Sequence, residues 1–247
     1  MRRPYWISFN SDPYDFPPVE HALEQPDGLL AIGGDLSMKR LLVAYRRGIF
    51  PWFSDEEPIL WWSPSERMVL FPEHVHISRS LRKTLRKQKF EVTFDQCFTE
   101  VMQACAGPRR RQHGTWITDE MLEAYKNLHQ HQYAHSVETW YEGELVGGLY
   151  GVAIGKVFYG ESMFARMPDA SKVAFVYFSR QLQRWGYELV DCQVYTNHLD
   201  SLGAVEIPRE DYTKLLDHLC PLQGYNDKWE FDDLGWKAQT GGFGYGN

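Results

Sequence analysis

The sequence predicts an α+β fold, in which helices pack on a mainly antiparallel sheet and a small N-terminal lobe precedes them. Three observations carry this. Between His135 and Met163, three apolar and aromatic runs are separated by a Glu142-Gly143 turn and a Gly155 turn, the pattern of an antiparallel meander. Segments with helical periodicity flank that meander on both sides. Residues 1 to about 65 have a different texture, rich in Pro, Gly and Trp, too apolar to float free and too broken by proline to form long elements.

Within the lobe one helix is clear. Ser37 suits its N-cap, Leu41, Leu42 and Tyr45 give an apolar face, and Gly48 stands where a C-terminal cap belongs. From residue 66 the elements alternate. Met68–Phe71 reads as a strand, Ser78–Lys89 as a helix and Phe90–Phe94 as a strand, followed by a helix that Asp95 caps. Thr118 opens a further helix running to about Gln132. The meander strands are His135–Tyr141, Leu145–Ala153 and Val157–Met163. After them come a helix over Ala170–Trp185, a strand over Glu188–Val194 and a last helix over Glu210–Leu219. This divides the chain into a lobe at 1–65, a larger domain at 66–222 and a tail at 223–247. The end of the tail, Thr240–Asn247, lacks any core-forming pattern and reads as disordered, and the tail as a mobile end without function.

Composition excludes several classes. A chain of 247 residues buries a full core. Its net charge of −7 argues against a surface that embraces nucleic acid throughout, and leaves only a local basic patch to do so. Cys97, Cys105, Cys192 and Cys220 stand singly, as in a reducing compartment, with no zinc or disulfide spacing. No secretory leader and no apolar run of spanning length occurs, so a cytoplasmic protein is expected.

Three clusters have chemical potential. Arg79, Arg82, Lys83, Arg86, Lys87 and Lys89 fall in eleven residues without an acid. On a helix this places a positive stripe opposite Leu81 and Leu85, which fits a phosphate backbone and equally a solvated helix face. Arg109-Arg110-Arg111 adds to it only if the fold brings the two together. In Val190-Asp191-Cys192-Gln193-Val194, a strand sets Asp191 and Gln193 on one face, suited to holding an amine or to backbone bonding at an edge. Glu161 lies inside the aromatic run Phe158–Phe164, where a buried carboxylate needs a structural partner or a cationic ligand. The His pairs at 74 and 76 and at 129 and 131 lack the carboxylates or cysteines of a metal site, and Cys192 lacks a paired His.

Several strings taken together are far more specific. Asp27–Leu36 reads Asp-Gly-Leu-Leu-Ala-Ile-Gly-Gly-Asp-Leu, Arg47–Phe53 reads Arg-Gly-Ile-Phe-Pro-Trp-Phe, and Leu60–Pro64 reads Leu-Trp-Trp-Ser-Pro. They are followed by His-Ile-Ser-Arg-Ser at 76–80, Gly-Thr-Trp-Ile-Thr at 114–118, Gly-Glu-Ser-Met-Phe at 160–164, Asp-Cys-Gln at 191–193 and Ser-Leu-Gly-Ala at 201–204. In this order, over roughly residues 20 to 215, the chain closely resembles the bacterial leucyl/phenylalanyl-tRNA–protein transferases.

The resemblance implies a GNAT-like larger domain, similar in fold to the Gcn5-related acetyltransferases. It implies transfer of Leu or Phe (Met less well) from aminoacyl-tRNA to proteins beginning with Arg or Lys, marking them for degradation. No cofactor and no metal is expected, because the tRNA ester already supplies the activation; a monomer is expected too. By the same resemblance Trp52 and Trp116 hold the 3′ adenosine, and Leu149, Phe158, Met163, Phe175, Phe178 and Val190 line the aminoacyl side-chain pocket. Phe175 replaces an aliphatic residue of the family and narrows that pocket. Glu161, Asp191 and Gln193 are the expected catalytic residues, with Asp191 orienting Gln193 and accepting positive charge, and Arg79, Arg82, Lys83, Arg86 and Lys87 face the tRNA backbone.

Two other classes stand against this. An acetyl-CoA-dependent acetyltransferase needs a glycine-bearing loop with open amides for a pyrophosphate, but Arg166–Ser171 offers Pro168 and Asp169 there. A non-catalytic tRNA-binding module would use the basic stripe and the tryptophans without the polar trio.

Overall fold

The computed structural model of the chain describes residues 3–107 and 117–231. Two sheets organise it. The smaller takes β1 (Tyr5–Ile7), β2 (Leu29–Gly33), β3 (Phe50–Pro51) and β4 (Leu60–Trp62), in the order β1-β2-β4-β3. Helix α1 (Met38–Arg46) lies between β2 and β3, and the Ser37 hydroxyl accepts from the Arg40 N–H as its N-cap. The lobe therefore holds four short strands beside the one expected helix. Each is only two to five residues long, too short to show a period of two in the sequence.

The larger sheet has seven strands: β5 (Glu66–Leu70), β6 (Glu91–Phe94), β7 (Ala134–Tyr141), β8 (Glu144–Ile154), β9 (Val157–Ala165), β10 (Leu189–Asp191) and β11 (Val205–Pro208). Their order is β11-β5-β10-β9-β8-β7-β6, and every pair is antiparallel except β9 with β10. The α+β class is as expected, and β7, β8 and β9 are the predicted meander. Helices α2 (Arg79–Arg86), α3 (Phe98–Ala106), α4 (Asp119–Gln130), α5 (Ala170–Arg184), the single turn α6 (Asn197–Asp200) and α7 (Arg209–Leu219) complete the fold. One side of the large sheet shares a continuous core with α1, α3, α4 and the lobe, while α2 and α5 cover the other.

Three expectations need correction. Asp95 does not cap α3, which begins after Cys97; its carboxylate instead accepts from the Ser136 N–H at 2.8 Å and meets His135 Nδ1 at 2.7 Å. The strand over Glu188–Val194 is only Leu189–Asp191, because Gln193 adopts φ 63° and turns the chain out of the sheet. Finally, the tail is not free throughout: Trp229 is 2% exposed and packs in the core on the α5 side. Thr240–Asn247 lies outside the described residues. Among the described residues no helix is long and apolar enough to cross a membrane.

Candidate functional site

The short pairing of β10 creates the site. It matches β9 only at Val157–Tyr159, so β9 runs on from Gly160 to Ala165 without β10 beside it. A cavity of about 350 Å³ opens at this fork, within the roughly 300–1,000 Å³ usual for small-molecule sites. Leu149, Phe158, Met163, Phe175, Phe178 and Val190 all line it, making an apolar chamber between the sheet and α5. Phe50, Pro51 and Trp52 line it from the small lobe, and Glu161 and Gln193 supply polar groups. Trp52 is 47% exposed, its ring 5.8 Å from that of Trp62, whose Nε1 donates to the Trp52 carbonyl at 2.7 Å. A half-exposed ring fixed in this way offers a stacking face.

Glu161 is nearly buried and incompletely bonded. Its Oε1 accepts from the Tyr45 hydroxyl at 2.6 Å and from Gln193 Nε2 at 3.0 Å. Its Oε2, equally shielded, has no hydrogen-bond partner among the described residues. Burial pushes the carboxyl up to about 7, against the lowering effect of the Tyr45 and Tyr125 hydroxyls. The Tyr45 hydroxyl is in turn hydrogen-bonded to that of Tyr125, so α1 and α4 both brace this one carboxylate.

Asp191 is held differently. It is fully buried and is not among the cavity-lining residues. Arg67 grips it in a fork, Nε to Oδ1 at 2.8 Å and Nη2 to Oδ2 at 2.6 Å; Tyr212 donates to Oδ2 at 2.7 Å and the Gln193 N–H to Oδ1 at 2.8 Å. The positive charge beside Asp191 in this structure is that of Arg67, which Asp191 and Tyr212 keep protonated against the effect of burial. Asp191 reaches the site through the Gln193 backbone, anchoring the left-handed turn from which the Gln193 side chain meets Glu161. Cys192 lines the cavity, and burial, with Asp191 beside it, holds its thiol protonated, unsuited to nucleophilic attack.

The family model for leucyl/phenylalanyl-tRNA protein transferase matches residues 69–217, and that for the family's N-terminal domain matches residues 34–65. A leucyl/phenylalanyl-tRNA–protein transferase of Nitrosomonas eutropha (strain DSM 101675 / C91 / Nm57) is 63% identical over 217 residues, 88% of this chain and 93% of that protein. One from Nitrosospira multiformis (strain ATCC 25196 / NCIMB 11849 / C 71) is 59% identical over 227 residues, 92% of this chain and 97% of its own. The chain belongs to the leucyl/phenylalanyl-tRNA–protein transferase family, a family of aminoacyltransferases. Among solved structures, a GCN5-related N-acetyltransferase from Kribbella flavida is similar with a TM-score of 0.38 and 13% identity, covering 68% of this chain and 59% of that one.

For this family member the remaining expected residues divide in two. On α2, Leu81 and Leu85 are buried while Arg79, Lys83, Arg86 and Lys87 are exposed, and among the described residues none of those four forms an ion pair. Arg82 is half-buried, its Nη2 reaching the Ile77 carbonyl at 3.5 Å. Trp116 and Arg109–Arg111 lie outside the described residues.

Sequence reasoning missed Arg67, Tyr45, Tyr125 and Tyr212. Arg67 carried a signal, since a charge inside the run Arg67-Met68-Val69-Leu70 implies a buried partner. The tyrosines carried none, because on α1, α4 and α7 they occupy positions any apolar residue would fill.

Proposed function

We propose that the chain transfers Leu or Phe, and Met less well, from aminoacyl-tRNA to the N-terminal amine of proteins beginning with Arg or Lys, and so feeds their degradation. The observation that carries this reading is an apolar chamber with a buried, raised carboxyl at its wall, one oxygen of which is unbonded among the described residues, and a half-exposed tryptophan in its lining. The terminal adenosine stacks on Trp52, and on Trp116 as the family pattern implies. The amino-acid side chain enters the chamber, leaving its ester carbonyl near Gln193 and Glu161.

An α-amine has a pKa of about 8, so part of it is neutral at pH 7 and positioning does most of the work. The amine nitrogen bonds to the ester carbon, the bond from that carbon to the ribose oxygen breaks, and the amine's proton passes to the leaving hydroxyl. With its pKa near the working pH and Oε2 unbonded among the described residues, Glu161 suits the carrying of that proton. Gln193 holds the reacting groups, and Asp191 positions Gln193. The test supplies radiolabelled leucyl-tRNA with matched peptides beginning with Arg and with Ala. Label on the Arg peptide alone supports the reading; bound tRNA with no transfer to either peptide overturns it in favour of a tRNA-binding module.

Two further outcomes are expected. Reversing Arg79, Lys83 and Arg86 to Glu weakens tRNA binding and flattens its salt dependence, by about 0.7–0.9 in log–log slope for each phosphate no longer neutralised. Unchanged affinity across a salt titration would reduce the stripe to a solvated face. Phe175→Leu widens the chamber and favours phenylalanyl- over leucyl-tRNA by roughly tenfold, the scale of a methylene-sized change in an apolar pocket. Competition between the two labelled tRNAs measures it, and an unchanged ratio removes Phe175 from specificity.

A further inference from the structure

The described part of the tail beyond α7 follows the last residue matched by the family model, 217, yet it carries one of the most enclosed tryptophans in the chain. Trp229 lies flat against the His135 ring, with centroids 3.7 Å apart and planes within 4°. His135 is itself fixed by Asp95 at 2.7 Å, so this face of Trp229 rests on a rigid group. The Trp229 ring also meets Trp185 at 5.0 Å and Tyr187 at 6.0 Å, while Trp185 stacks on Tyr225 at 4.2 Å. The tail from Tyr225 to Phe231 is therefore a strap bound by aromatic contacts.

What it presses on matters for the site. Trp229 reaches Phe158, with ring centroids 5.9 Å apart, and Phe158 is a wall of the chamber. Phe158 is enclosed on other sides too. Its ring occupies the space over Gly151, where a Cβ would lie 2.5 Å from Phe158 Cε1, and it meets Phe178 edge-on at 4.5 Å. Gly151, Phe178 and Trp229 thus each limit movement of this ring, and of the three only Phe178 itself lines the chamber.

We infer that Trp229 is a positioning residue that sets the depth of the aminoacyl chamber by holding Phe158 in place. The inference rests on the reading that this chamber receives the amino-acid side chain. Removal of the indole gives the Phe158 ring room to retreat. The chamber then lengthens, fitting a phenyl ring better and gripping the shorter leucyl group less.

The test uses the full chain and leucyl- and phenylalanyl-tRNA as competing donors. In Trp229→Ala the ratio of kcat/KM for phenylalanyl over leucyl transfer rises about tenfold, mainly through a higher KM for leucyl-tRNA, and Trp229→Phe restores most of the original ratio. Phe158→Leu, which alters the wall directly, also shifts the ratio. A ratio unchanged in both Trp229 variants, with a lowered Tm and a shifted ratio in Phe158→Leu, makes Trp229 a core residue only and overturns the inference alone. A ratio unchanged in Phe158→Leu as well removes the side chain from this chamber, and both readings fall together. Should Trp229→Ala not fold, Trp229→Phe decides: a smaller shift in the same direction supports the inference, and none overturns it.

Discussion

Asp191→Ala is expected to lower stability by about 3–5 kcal/mol, because it leaves the Arg67 guanidinium buried without its counter-charge. In a chain of this size each kcal/mol moves Tm by roughly 2–4 °C, so thermal unfolding should shift by about 10 °C. Part of the activity loss in this variant is then loss of fold. Catalysis has to be measured well below the new Tm, where the remaining deficit reports the freed Gln193 turn. The double variant Arg67→Met with Asp191→Leu separates the effects. Apolar side chains in place of a buried pair are often neutral or stabilising, so Tm recovers in part, short of full because the Tyr212 hydroxyl and the Gln193 N–H still lack their acceptor, and the latter keeps kcat low. An unchanged Tm in Asp191→Ala, with kcat abolished, would instead put the carboxylate among the reacting atoms.

Glu161→Gln is expected to cut kcat/KM by about 10²–10⁴-fold, the usual range for removing a general base, and to stabilise the protein at alkaline pH. Burial raises this carboxyl from 4.5 to about 7, so the folded protein holds the proton more tightly than the unfolded chain does. The stability this contributes is fully present below about pH 4.5 and is lost as pH rises through about 7. The gap corresponds to roughly 3 kcal/mol at 1.36 kcal/mol for each pKa unit. A neutral amide of the same shape is spared that loss and still accepts from Tyr45 at its oxygen. The variant should therefore unfold at a higher temperature than the parent at pH 8 and at a similar temperature near pH 4.5. The parent's kcat/KM should also fall more steeply on acidification through about pH 7 than the variant's, which keeps only the limb from protonation of the acceptor's α-amine. Equal Tm values at pH 8 would mean that the carboxylate is better solvated than its surroundings indicate, and an equally steep acid limb in the variant would assign the second proton to another group.

The chamber is a site where stability and function oppose each other. An apolar group at position 161 would ease the burial, but in the proposed mechanism Oε2, unbonded among the described residues, is the atom that carries the proton. Arg67 with Asp191 and Tyr45 with Tyr125 meet opposite needs. The first pair is fully bonded and holds the Gln193 turn, whereas the second leaves one oxygen of Glu161 unbonded among the described residues.

Local patterns in the sequence were enough for the meander, for α1 with its Ser37 cap, and for α4, whose Thr118 hydroxyl accepts from the Met121 N–H. In each, period, cap and turn residues lie within a few positions of one another and act through near neighbours. The family resemblance implied six side-chain-pocket residues, and the fold gathers all six into the lining of one cavity. Tertiary structure alone decided which charges are partnered and which are left open. Arg67 and Asp191 are 124 residues apart, and Tyr45 and Glu161 are 116 apart. Only the fold brings such groups within hydrogen-bonding distance, because no short-range period records them. It also decided that Gln193 leaves the strand, since a left-handed residue held by the Asp191 carboxylate overrides the alternation that would have kept the two side chains on one face. The tail shows the same limit: Tyr225, Trp229 and Phe231 stand among polar residues without a period, and only the cleft beside His135, Trp185 and Tyr187 gives them somewhere to be buried.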